Sequence, residues 1–300
     1  MYNSLKETIN YYYGLNVSII RKLDNGYLLY DNNSKYLLIE INHQNERILL
    51  SQLRYLPKLI IGMNHIKYFQ YQNYYYCIYE YIEPSNICLT NQYLTLLFYL
   101  NEETLMTKKV DMHYYEKQCE QLRKDIDHFY GCFEEIIHQF INNQCLNVLF
   151  FPLIYEYESI KHLKQLALNY LKEYEQIVLN KNTCRFCVGV KQVNPYLFSI
   201  EKNCITDVNE ATVGLFTDTI IRLFHSEIEY DDLERLYMNK ISFQRHEKLY
   251  ILIKLLCLRS IDFNMDGYKN IAWFKWFKVY VERLNKIMKS LQMNENILYN

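Results

Sequence analysis

The chain has 300 residues, enough for one large domain or two packed lobes. Half of the residues are hydrophobic and 22% are charged, so a sizeable core can form and a disordered chain is excluded. Lys and Arg total 33 against 34 for Asp and Glu, a net charge of -1, which excludes a nucleic-acid binder that relies on excess positive charge.

The start, Met1-Tyr2-Asn3-Ser4, has no basic segment followed by an apolar one, so no secretory signal is expected and synthesis in the cytoplasm is. The first 84 residues read as mostly β. Val17 to Leu23 opens with β-branched residues and ends at the turn signal Asp24-Asn25-Gly26. Tyr27 to Asp31 follows, then the polar turn Asn32-Asn33-Ser34 and a third strand from Lys35 to Ile41. Between Asn45 and Leu56 the period changes, and Ile48, Leu49, Leu53 and Leu56 predict a short helix. Strands are predicted from His65 to Tyr71 and from Tyr74 to Ile82 before Pro84-Ser85-Asn86 breaks the pattern.

The remainder reads as helical. Tyr115, Cys119, Leu122, Ile126, Phe129, Phe133, Ile136 and Phe140 form one apolar stripe, and Ile160, Leu163, Leu166, Tyr170, Tyr174 and Ile177 form another. The longest apolar stretch, Leu146 to Tyr155, contains Pro152 and is too short for a bilayer span of roughly 20 residues. Cys184 to Asp207 interrupts the helices with short extended pieces. Leu215 to Phe224, Leu249 to Leu258 and a last segment carrying Trp273, Trp276, Tyr280, Leu284, Ile287 and Leu291 resume them. The division is therefore 1–84, a β-rich lobe of five strands and one helix, and 85–300, a helical lobe.

The nine cysteines have no framework spacing, so reduced thiols are expected. Only Cys184 and Cys187 form a CxxC, with no second pair, which makes a poor zinc site. They read either as crosslinks between chains or, preferably, as partly buried thiols. Tyrosine is abundant at 31 residues, as AT-rich codons would give. The runs Tyr11-Tyr12-Tyr13 and Tyr74-Tyr75-Tyr76, taken as strands, must turn alternate rings outward, where tyrosine favours protein contact. Lys275, Lys278, Arg283, Lys286 and Lys289 predict a solvated face on the last helix.

The informative stretch is Cys187-Val-Gly-Val-Lys-Gln-Val-Asn194, followed by Cys204-Ile-Thr-Asp207-Val-Asn209. It resembles the catalytic core of aminoglycoside and choline phosphotransferases, in which His-Gly-Asp is followed four residues on by Asn and then by Asp-Phe-Asp. The resemblance implies an α+β, protein-kinase-like two-lobed fold with the degenerate catalytic segment at 184–209. It places Asn194 and Asp207 on the metal-binding Asn and Asp, so the pair is a candidate remnant Mg²⁺ site. The bland alternative is that Asn194 ties a loop and Asp207 caps a turn. Asp218 falls on a structural Asp at a helix start.

The departures are severe. Gly189 occupies the position of the catalytic base and Cys187 that of the His, and glycine cannot deprotonate a hydroxyl. The third strand, which should carry the phosphate-pairing Lys, has Ile39 or Glu40 instead, and Lys35 precedes it. One glycine, Gly26, stands where a glycine-rich loop is needed, and Glu46 is the only counterpart of the helix glutamate. No catalytic residue is expected, and no ATP or Mg²⁺ cofactor except under the alternative of a rebuilt small-molecule phosphotransferase or a nucleotide-sensing pseudokinase. This degenerate form resembles the kinase-like spore-coat proteins of endospore-forming Firmicutes. That resemblance implies an inactive protein acting through protein partners, other coat proteins among them, without nucleic acid or membrane.

Overall fold

The computed structural model describes residues 2–23, 26–32, 34–41, 53–85, 87, 90–142, 154–257 and 267–293. It has two compact units, each assembled from two stretches of chain. One is Met1–Leu105 with Cys187–Gly214, the other Met106–Phe186 with Leu215–Asn300.

The first unit is built on a five-stranded antiparallel sheet. Its strands are β1 (Val17–Leu23), β2 (Gly26–Asp31), β3 (Ser34–Ile41), β4 (Phe69–Tyr71) and β5 (Tyr74–Glu80), in the order β1-β2-β3-β5-β4. A helix, α1 (Tyr2–Tyr13), covers one face: Leu5, Ile9 and Tyr13 recur every four residues and pack with Leu29, Leu38 and Ile78. The other face carries Leu37, Ile39, Ile41, Cys77 and Tyr79, which pack with Val208. Burial on both faces explains why β3 is a nearly continuous apolar run and not an alternating one. A second helix, α2 (Thr90–Thr104), is apolar on several sides, with Tyr93, Leu94, Leu96, Leu97, Phe98 and Leu100 buried.

The second unit is helical. It contains α3 (Met112–Asn142), α4 (Tyr157–Val178), α5 (Phe216–Phe224), α6 (Tyr230–Leu236), α7 (Arg245–Leu256) and α8 (Gly267–Ser290). Tyr115, Leu122, Ile126, Phe129 and Phe133 of the α3 stripe and Ile160, Leu163, Leu166, Tyr170 and Tyr174 of the α4 stripe are buried, and α7 is buried almost throughout. Tyr130 and Tyr280 donate their hydroxyls to the carbonyls of Leu256 (2.9 Å) and Leu255 (2.6 Å), which satisfies orphan carbonyls at the end of α7. Strand β6 (Met106–Lys109) pairs with Thr183–Phe186, the first half of β7 (Thr183–Val190). The second half of β7 belongs to the first unit, with β10 (Ala211–Leu215) as its neighbour. A two-residue hairpin, β8 (Phe198–Ser199) and β9 (Cys204–Ile205), lies between them in sequence.

Several expectations change. Tyr11-Tyr12-Tyr13 is the end of α1, not a strand, and Gly14 closes that helix with φ +67° and an N–H bond to Asn10 (2.8 Å). The strand expected from His65 is confined to β4, because Met63–His65 forms a 3₁₀ turn with Asn64 and His65 at positive φ. Most of the helix expected over 45–56, with Glu46, lies outside the described residues. Residues 53–56 are a turn that buries Tyr55 and Leu56. Arg283 is not on a solvated face: it donates to the carbonyls of Ser226 (3.2 Å) and Ile228 (3.0 Å) and lies over the Phe224 ring. Among the described residues no helix is long and apolar enough to cross a membrane.

Candidate functional site

The segment that carries the resemblance is held in the first unit by α2. Asn101 Nδ2 donates to the Val188 carbonyl at 2.6 Å, and the Val188 N–H donates to Thr104 Oγ1 at 2.9 Å. Thr104 in turn donates to the Leu100 carbonyl at 2.6 Å. All three polar groups are buried, so the backbone of β7 is pinned on both sides of Val188, next to Gly189. Further along, the Asn194 N–H donates to the Tyr93 hydroxyl at 3.3 Å, and burial pushes the Tyr93 phenol far above its usual range.

Gly189 lies buried within β7, where the resemblance puts a catalytic carboxylate. Asn194 accepts the Tyr196 N–H at 3.0 Å and so caps the 3₁₀ turn Pro195–Leu197. Asp207 accepts the Asn209 N–H at 2.8 Å and caps the turn Val208–Glu210. Each candidate metal donor is thus engaged by its own loop. Among the described residues no three His, Cys, Asp or Glu side chains form a group that could hold a metal ion. One amide and one carboxylate are a short donor set for Mg²⁺, which takes six oxygen ligands and would need most of them from elsewhere. Val208 is fully buried against Ile39 and Tyr79, so the middle position of the second motif has a packing role.

A cleft of about 450 Å³ opens in the same unit, lined by Lys22, Leu23, Gly26, Tyr27, Ile39, Glu40, Lys191 and Asn209. Gly26 has φ +152°, and a Cβ there would meet the Leu38 carbonyl oxygen at 2.4 Å, so only glycine lets β2 run this close to β3. Ile39 and Glu40 fall on opposite faces of β3. Ile39 shares the face of Leu37 and Ile41, and both Ile39 and Glu40 line the cleft, so neither residue that the resemblance offers at the lysine position is a cation. Lys35 pairs with Glu83 and does not line the cleft. The two lysines that do, Lys22 near the end of β1 and Lys191 just after β7, do not stand out in the sequence. Alternation along β1 and the spacing of Lys191 from Asn194 are the signals that could have found them.

No protein-family model matches the sequence, and no curated protein matches it. Solved structures do. An aminoglycoside phosphotransferase from Alicyclobacillus acidocaldarius is 12% identical over 93% of each chain, with a TM-score of 0.57. A spectinomycin phosphotransferase in complex with ADP and spectinomycin is 12% identical over 96% of this chain and 98% of that one, with a TM-score of 0.52. The chain has a kinase-like fold.

Two residues singled out in the sequence, Asp218 and Cys184, lie in the helical unit. Asp218, in the first turn of α5, accepts a hydrogen bond from the Leu215 N–H, as expected of a carboxylate at a helix start, and burial raises its pKa. Cys184 is buried beside the Tyr114 hydroxyl, and burial raises its pKa also. Cys187, in the other unit, is 1% exposed. Burial withholds both thiols from crosslinks between folded chains.

Proposed function

We propose that this kinase-like chain does not transfer phosphate and acts through protein contacts in a spore coat. Gly189 carries the reading: the sequence resemblance puts the base at this position, and glycine has no side chain to act as one. Ile39 or Glu40 at the lysine position and Asn209 at the last motif position support it, since none supplies the charge that phosphoryl transfer uses there. Exposed tyrosines, Tyr11, Tyr74, Tyr155 and Tyr196 among them, suit protein contact. The worn resemblance to kinase-like coat proteins supplies the setting.

Incubation of the purified chain with γ-labelled ATP, Mg²⁺ and panels of aminoglycosides, amino alcohols and proteins is expected to give no labelled product and no hydrolysis above buffer. Any transferred label would overturn the claim of inactivity. Coat extracts from spores of the source organism are expected to contain the chain, and its absence there would remove the setting. A competing reading, a phosphotransferase with a rebuilt site, rests on Asn194 and Asp207 lying in the same unit as the cleft. It requires Mg²⁺-dependent nucleotide binding that Asp207→Asn abolishes.

A further inference from the structure

We infer that the chain pairs with a second copy of itself along the outer edge of β4, in a two-fold dimer. The inference rests on the proposed action through protein contacts, for which it names one partner, and not on the absence of turnover.

The two edges of the first unit's sheet differ. The β1 edge is defended: Arg21 and Lys22 are exposed, the register shifts between Val17 and Ile19, and the Lys6 ammonium donates to the Ser18 carbonyl. Charges and bulges of this kind keep an edge from pairing. At the other end of the sheet, β4 is Phe69-Gln70-Tyr71 and carries no charge. Tyr71 and Tyr74 form the bonded pair that closes the two-residue turn Gln72-Asn73, so Gln70↔Tyr75 is a non-bonded pair. The N–H and C=O of Gln70 therefore point away from β5, and among the described residues no strand takes them.

Large side chains flank this edge on both faces. On the α1 side, Phe69 stacks with Tyr12 and with Tyr76, each at 5.8 Å between ring centroids. Tyr75 faces the other way in β5, and the Tyr68 ring meets it edge to face at 5.9 Å. The loop before β4 joins the patch. A Cβ on Gly62 would meet the Tyr12 carbonyl oxygen at 2.5 Å, so Ile61 and Met63 flank a close contact with the end of α1 that carries Tyr11. Tyr11, Ile61, Met63, Tyr68 and Tyr75 are between 37% and 72% exposed, which at about 200 Å² for each side chain leaves about 500 Å² open. That is more than half of the roughly 800 Å² that each partner gives to a standard interface, and it is near the upper end for the largest apolar patch of an ordinary monomer.

β4 is three residues long, so its backbone supplies few bonds and the flanking side chains must supply the area. An uncharged edge offers nothing to an acidic or basic peptide and matches a surface of its own kind. Antiparallel pairing about Gln70 sets Phe69 against Tyr71 and Tyr68 against Gln72 of the other copy. Lys67 then meets Asn73 and not the other Lys67, so the register brings no like charges together. A two-fold contact of this kind closes at two copies.

The test is sedimentation equilibrium of the full chain across the micromolar range. The mass is expected to rise with concentration from 36.7 kDa toward twice that value. Gln70→Pro removes the outward N–H, and Tyr68→Lys and Met63→Lys put an ammonium on the patch. Each is expected to weaken the dimer about tenfold or more. Ile19→Lys, at an exposed residue of the opposite edge, is the control and is expected to change nothing. If circular dichroism shows that Gln70→Pro does not fold, the two lysine variants at exposed positions decide the matter. A monomer over the whole range, a dimer that withstands Tyr68→Lys and Met63→Lys, a dimer that yields equally to Ile19→Lys, or growth beyond two copies would overturn the inference. A monomer would leave the coat extracts to decide the proposed setting, and phosphate transfer by a dimer would overturn the proposed inactivity and leave this edge standing.

Discussion

Val188 is held by two side chains of one helix, and the arrangement fixes the neighbouring Gly189. Replacing Asn101 by Leu keeps the volume and leaves the Val188 carbonyl buried without its donor. Such a loss costs about 1–3 kcal/mol, and denaturant unfolding of Asn101→Leu is expected to show it. A second residue-scale effect concerns His246 in the helical unit. Burial, then the charge of Lys181, lowers its pKa to about 4, with Arg185 adding to the fall and Glu247 opposing it. The neutral form is preferred in the fold, and the unfolded imidazole titrates near 6.5. The unfolded state therefore binds more protons between pH 6.5 and 4, so stability is full above 6.5 and falls as pH drops through that window. Melting temperatures are expected to decline over this range and to decline less in His246→Gln. An equal decline in both would assign the loss to other groups.

At the scale of elements, α7 shows how one ion pair serves two purposes. Glu247 accepts the Gln244 N–H at 2.8 Å as half of a capping box, and it also takes a two-point contact from Arg185 on β7, with Nε–Oε1 at 2.7 Å. The Glu247 side chain is 7% exposed and that of Arg185 17%, so neither charge is well solvated. Glu247→Ala removes the cap and strands the guanidinium, a change expected to cost about 3–5 kcal/mol. Glu247→Gln, which keeps a cap acceptor, is expected to recover part of it. Equal stability of Glu247→Ala and the parent in denaturant would show that α7 does not depend on this pair. Elements of this kind were unevenly legible in the sequence. β1, β2, β3 and β5 could be read because turn residues bracket β-branched and aromatic runs, and α3 and α4 because one face is apolar. α1 was hidden behind the strand propensity of three tyrosines, although Leu5, Ile9 and Tyr13 at four-residue spacing and Gly14 mark it. α2 was hidden because burial on several sides leaves no stripe.

For the whole molecule, the departures from the resembling family's pattern were legible and the lysines that line the cleft were not. That Gly189 departs from the His-Gly-Asp pattern of the resembling family is a local fact of the sequence and needs no packing to detect. The lysines of the cleft lie 169 positions apart (191 − 22) and meet only because Cys187–Gly214 packs with Met1–Leu105. Turn signals and periodicity mark breaks along the chain but carry no information about which distant stretch packs back. That return has a consequence during synthesis. β5 ends at Glu80, and Val208, which completes the core on the Ile39 face of the sheet, is made 128 residues later (208 − 80). At roughly 5–20 residues per second, the nascent sheet waits about 6–25 s with Leu37, Ile39 and Ile41 lacking that partner. An apolar sheet face left open for seconds is a binding surface for chaperones and for other unfinished chains.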